Sequence, residues 1–72
     1  MAEVMIEQFQ AVGKGGAVSY VRPTYEEALA DGERNMRGEP YWHSFKVEKW
    51  YSLSLESIAR DHGLKIVGRV EP

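Results

Sequence analysis

The chain reads as α+β: a small two-layer α/β sandwich of order ββαβαβ, with two helices on one face of a four-stranded, mixed or mostly antiparallel sheet. Three observations predict this. Segments rich in β-branched and aromatic residues alternate with two stretches of helical periodicity. A Thr24 to Glu27 capping box opens the longer of those stretches, and glycine or proline marks the main junctions. At 72 residues, 43% hydrophobic and 28% charged, the chain is expected to fold as a single domain, 1–72. A chain of this size buries only about 60% of the surface its unfolded form exposes, so its core must be small.

The first strand is expected over Val4 to Val12, where strand formers run up to Gly13-Lys14-Gly15-Gly16. Those glycines supply the positive φ angles of a tight reversal, and Ala17 to Arg22 then reads as a second strand, making a hairpin with Lys14 at its tip. Thr24 caps a helix that runs from Tyr25 to about Arg37 and carries Tyr25, Ala28, Leu29, Gly32 and Met36 on one apolar stripe. Acids lead that helix and Arg34 and Arg37 end it, as the helix dipole prefers, and Gly38 and Pro40 stop it.

Five of the eight aromatic residues then fall between Tyr41 and Leu53. As one long strand this stretch places Tyr41, His43, Phe45, Val47, Lys49, Tyr51 and Leu53 on one side, with Phe45 and Val47 facing the core. Trp42, Ser44, Lys46, Glu48, Trp50 and Ser52 occupy the other, which the helices are expected to leave open. Ser54 is placed to cap a shorter helix, Leu55 to His62, turning Leu55, Ile58 and Ala59 inward, and Gly63-Leu64 reads as a Schellman ending. Ile66 to Val70 is the last strand.

Nine basic residues against eleven acidic ones give a net charge of −2, so the electropositive field of a general nucleic-acid binder is missing. The absence of cysteine excludes disulfides and thiolate metal sites and fits a reducing cytosol, so a cytoplasmic location is expected. The N-terminal stretch carries an acid where a secretory signal needs a basic patch. No apolar run approaches the roughly 18 residues of a membrane span, so no membrane partner is expected.

No motif carries catalysis. Gly13 to Gly16 leads into strand formers rather than the helix a phosphate loop requires. His43 and His62 lack the helical spacing of a metal site, and no spacing selects a nucleophile and acid to join His43. Ser54 to Leu64 has the capping chemistry of the first helix and turn of a helix-turn-helix. The residues after it, Lys65 to Pro72, offer strand formers where a recognition helix belongs. The acids Glu26, Glu27, Asp31 and Glu33 fit dipole compensation better than imitation of a phosphate backbone. No catalytic residue, cofactor or metal ligand is therefore assigned.

Exposed aromatic residues on an open sheet face suit partner binding, because they bury much area at little entropy loss. The sequence expectation is a non-catalytic interaction module with a protein partner, with Trp42 and Trp50 as apolar anchors and Tyr20 beside them. Lys14, Arg22, Lys46 and Lys49 would orient the partner by charge. By analogy of size and style alone, small chains of this kind act as adaptors, or as inhibitors made by phages and other mobile elements, such as anti-CRISPR proteins directed at nucleoprotein complexes. A nucleic-acid-associated regulator using the same face, or an edge of Arg34, Arg37, Arg60 and Arg69, is the alternative. Self-association through the aromatic face, giving a homodimer, is a further use of the same surface.

Overall fold

The computed structural model describes residues 2–70. Three strands, β1 (Glu3–Val12), β2 (Lys46–Leu55) and β3 (Lys65–Arg69), form one antiparallel sheet in the order β2-β1-β3. Two helices, α1 (Tyr25–Met36) and α2 (Glu56–Asp61), complete the fold.

The local signals behave as their chemistry dictates. The Thr24 hydroxyl accepts the Glu27 amide at 3.2 Å and starts α1. At the end of α2 the Leu64 amide donates to the Ala59 carbonyl at 2.8 Å and Gly63 donates to Arg60 at 3.2 Å, with φ +67° at Gly63. That is the Schellman pattern. Leu55 rather than Ser54 occupies the cap position of α2, because β2 continues through Ser54 and the Glu56 amide is taken by the Ala2 carbonyl.

The expected four-stranded sheet of order ββαβαβ is corrected to a three-stranded one of order βαβαβ. Residues 17–22 do fold back on β1, but only two isolated bridges form, Phe9 with Arg22 and Val12 with Val18. The register slips by one residue between them. There the Ala11 amide donates to the Ser19 hydroxyl at 3.2 Å, where a regular ladder would offer a carbonyl. β3 takes the same edge of β1 only from Val4 to Glu7, so it is this slip that interrupts the ladder beyond it.

Two further expectations are overturned. The aromatic strand begins at Lys46, not Tyr41, because Pro40 opens a 3-10 turn, Pro40–Trp42. His43 donates to Pro40 and Phe45 to Trp42 across successive i to i+3 spacings, which consumes the amides an early ladder would need.

The helices also do not share a face. In β1 the packed apolar residues change phase, from buried Val4 and Ile6 to half-buried Phe9 and buried Ala11. Val4 and Ile6 pack with Ala59 of α2 and with Leu64 and Ile66. On the opposite face Phe9 meets Tyr25 of α1 edge-on, with centroids 6.0 Å apart, and Ala11 is fully buried. Each helix therefore roofs one half of one face, at opposite ends of a molecule measuring 46 × 20 × 13 Å. The other half of each face is bare.

Candidate functional site

The half-face of the sheet beyond the end of α1 carries Met5 of β1 opposite Leu53 of β2, and Glu7 opposite Tyr51. Met5, Tyr51 and Leu53 are 41%, 55% and 57% exposed. Val67, the extra residue of a bulge in β3 opposite Met5 and Ile6, is also exposed at the β3 edge.

Glu7 anchors this surface. Its carboxylate lies 3.3 Å from Lys49 Nζ on β2 and 3.4 Å from Lys65 Nζ on β3, so a row of alternating charge crosses all three strands. Burial pushes the Glu7 carboxyl up, and hydrogen bonding and charge from Lys49 and then Lys65 outweigh it, leaving its pKa below the ordinary carboxylate value. The row holds the strands in register and leaves one positive charge beside the apolar residues.

The expected anchors part company. Trp42 is 5% exposed and sits on the 3-10 turn against Phe45, centroids 6.4 Å apart, and against Gly13. It belongs to the core. Trp50, 49% exposed, faces solvent on the other side of the sheet, opposite Gln8. Lys46 pairs with Glu48 at 3.4 Å on the Trp50 side, whereas Lys49 lies on the Tyr51 side with Glu7. Lys14 lies in the exposed turn ahead of Gly15 and Gly16. The seven expected contact residues thus do not form one patch. Met5, Tyr51 and Leu53 do share one exposed half-face, and the phase change in β1 is the sequence signal that marks them as bare.

Tyr20 and Arg22 border a separate open cleft of about 540 Å³, closed on its other side by Asp31, Arg34 and Asn35 of α1. Tyr20 is 80% exposed and the Arg22 guanidinium stands 5.6 Å from its ring centroid. Asp31, buried, accepts Arg22 Nε at 2.5 Å and Nη2 at 3.1 Å, and Arg34 Nη1 at 3.2 Å. The bidentate Arg22 bond holds the Asp31 carboxyl below its ordinary pKa despite burial, with Arg34 adding charge. One carboxylate therefore engages both arginines, and the cluster pins residues 18–22 to α1 in place of a ladder.

This arrangement has a pH signature. A carboxyl whose folded pKa lies below its unfolded value contributes stability above the unfolded value and loses it as pH falls through the folded one. Asp31, Glu7 and Glu56, the last held low by Arg69 and Arg60, all have this sign. The thermal midpoint should therefore hold from neutral pH down to about 5 and decline through and below the ordinary values of 3.8 for Asp and 4.5 for Glu. Asp31→Asn should lower the midpoint at pH 7 and flatten the acid decline. Melts of both proteins from pH 7 to 2 check this, and an unchanged acid slope in the variant would remove Asp31 from the account.

Arg34 lies in α1 and Arg37 at its C-cap, whereas Arg60 and Arg69 gather around Glu56 on the opposite face, Arg69 at 2.5 Å. The four do not form one edge. Among the described residues no group of three or more His, Asp or Glu side chains gathers as a metal site, and no helix is long and apolar enough to cross a membrane. No protein-family model, curated protein or solved structure matches the chain.

Proposed function

We propose that the protein is a non-catalytic binding module of the cytosol, a small adaptor or inhibitor, that holds a protein partner on the bare half-face formed by Met5, Tyr51 and Leu53. One observation carries this reading: three large apolar side chains stand exposed and contiguous on a rigid sheet, framed by the Lys49, Glu7 and Lys65 row. Rigid apolar residues rimmed by charge are what interface hot spots are made of. The excess positive charge of the row favours a partner segment that is apolar with an acidic flank. The nucleic-acid alternative is less well supported, because Arg22 and Arg34 share Asp31, and Arg60 and Arg69 share Glu56.

Capture from native-host lysate with and without nuclease, using the wild-type protein and Met5→Lys, tests the proposal. Met5 lies on the central strand, where a lysine can reach solvent without disturbing the core. The expected result is a nuclease-resistant protein whose affinity falls about tenfold or more in the variant, the loss of one apolar anchor. Capture that nuclease abolishes, or that Met5→Lys leaves unchanged, would overturn this assignment.

A further inference from the structure

The two edges of the sheet are unlike. β3 is five residues long and its pairing with β1 is broken by a bulge, two devices that protect an edge from accidental pairing. β2 is ten residues long, contains neither proline nor glycine, and keeps one unbroken register with β1 from end to end. Among the described residues no strand pairs with its outer side. Lysines also guard edges, but here each is engaged within its own chain, Lys46 by Glu48 and Lys49 by Glu7.

The direction of the free backbone groups follows from the hydrogen bonds of β1. Phe9 exchanges both its bonds with Arg22, at 2.7 and 2.6 Å, the Ala11 carbonyl accepts from Ser19 at 3.0 Å, and the Glu3 carbonyl accepts from Val70 at 3.1 Å. These residues point away from β2. The alternate residues of β1 therefore bond β2, through Ser54, Ser52, Trp50 and Glu48. Val47, Lys49, Tyr51 and Leu53 consequently aim their amides and carbonyls at the open edge.

We propose that this edge pairs with the same edge of a second copy, β2 antiparallel to β2 about a two-fold axis with Trp50 opposite Trp50, forming a continuous six-stranded sheet. Side-chain pairing selects that register. A two-fold axis normal to the sheet keeps like faces together, so the strands can shift only in steps that change the central residue. Centred on Trp50, Val47 faces Leu53, Lys49 faces Tyr51, Glu48 faces Ser52 and Lys46 faces Ser54, with no like charges opposed. Centred on Lys49, the lysines collide. Centred on Tyr51, Trp50 faces Ser52 and Lys49 faces Leu53. The outermost pair would then need the Leu55 carbonyl, which already accepts the Ser54 hydroxyl at 3.3 Å at the start of α2.

In the Trp50 register the outward residues form about eight interchain hydrogen bonds. The two tryptophans occupy a non-hydrogen-bonded pair, where Cα atoms approach to about 4.5 Å and side chains meet most closely. Tyr51 and Leu53 of one copy, on its bare half-face, then lie beside Lys49 and Val47 of the other, on the half that α1 roofs. Each copy's bare half thus adjoins its neighbour's covered half. This use of the edge is separate from the use of the half-face proposed above.

Sedimentation of the wild-type protein should show a two-fold increase in mass by tens of micromolar. Tyr51→Pro removes an amide that faces the open edge and none that bonds β1, a position where edge strands tolerate proline. It should weaken self-association roughly a hundredfold while keeping the far-ultraviolet circular dichroism of the fold. Trp50→Lys, which opposes like charges without touching the backbone, should do the same if the proline variant does not fold. Because the chain has no native cysteine, register is read by single cysteines. Trp50→Cys should oxidise to a covalent dimer, its Cα separation lying in the roughly 4.4–6.8 Å disulfide range. Ser52→Cys, about 14 Å from its own copy, should not. A wild-type protein monomeric at about 100 μM, or a dimer that survives both Tyr51→Pro and Trp50→Lys, overturns the pairing. Cross-linking of Ser52→Cys as readily as Trp50→Cys overturns the register. A monomer that still loses its partner on Met5→Lys would leave the half-face reading standing alone.

Discussion

Trp42→Ala should destabilise the protein by about 3–5 kcal/mol, the usual loss for emptying a buried large aromatic position. The side chain is 5% exposed and fills the space between Phe45 and Gly13, where an added Cβ would stand only 3.1 Å from Trp42 Cδ2. Little else can collapse into the vacancy, since Gly13 is held by the hydrogen bond its amide donates to the Ala17 carbonyl at 2.8 Å. A domain of this length has about 4–11 kcal/mol of total stability, so the variant should be largely unfolded or nearly so at 37 °C. Trp50→Ala, measured in dilute protein where only the monomer is present, should change stability by about 0.5 kcal/mol, as an exposed site does. Urea titrations of the two variants check the contrast. Comparable losses in both would mean that Trp50 is also packed.

The contrast between the two tryptophans shows what could and could not be read from the chain. Thr24, Gly63 and Leu64 act through neighbours three to five positions away, so the start of α1 and the end of α2 are legible in a short window. The strand from Tyr41 fails for an equally local reason that the aromatic pattern masks: Pro40 starts a turn whose i to i+3 bonds carry the chain past Trp42 to Phe45. The second strand fails for a non-local one. Ala17 to Arg22 has strand composition, but the slip at Ser19 and the bond of Arg22 to Asp31, which depends on how α1 docks, leave it two isolated bridges.

Which residues are bare is also legible, though not from β2. Val47, Tyr51 and Leu53 share one side of β2, and alternation there gives no reason why Val47 should be roofed and Tyr51 exposed. β1 supplies the reason. Its packed apolar residues move from Val4 and Ile6 to Phe9 and Ala11 across the polar Glu7 and Gln8, so a single straight strand must present its core to opposite sides at its two ends. One helix per face follows, and with it two bare half-faces and a thickness of only 13 Å. Among the described residues few large side chains are fully buried, Val4 alone exceeding alanine in that class, which makes additional burial through a partner energetically useful.

Gly32→Ala tests the other end of this economy, because two effects of opposite sign meet there. In an exposed helix the change should stabilise by about 0.8–1 kcal/mol through helix propensity alone. In α1 the new Cβ would enter the Phe45 ring, 2.5 Å from Cδ2 and 2.6 Å from Cζ. The ring lies between α1 and Trp42, at the point where the chain enters β2, so neither a rotamer change nor a backbone shift relieves the overlap without loosening both contacts. Overpacking of this kind costs typically about 1–3 kcal/mol and more when backbone must move, so the clash wins and a net loss of about 2 kcal/mol is expected. Gly32→Leu should lose at least twice as much. Trimming the ring provides the internal control: Phe45→Leu costs stability in the wild type but should cost less, or nothing, in the Gly32→Ala background, because the two changes share one volume. A double-mutant cycle by urea denaturation measures that coupling. Strictly additive losses, or a Gly32→Ala protein more stable than wild type, would show that α1 rides farther from Phe45 than the missing Cβ allows.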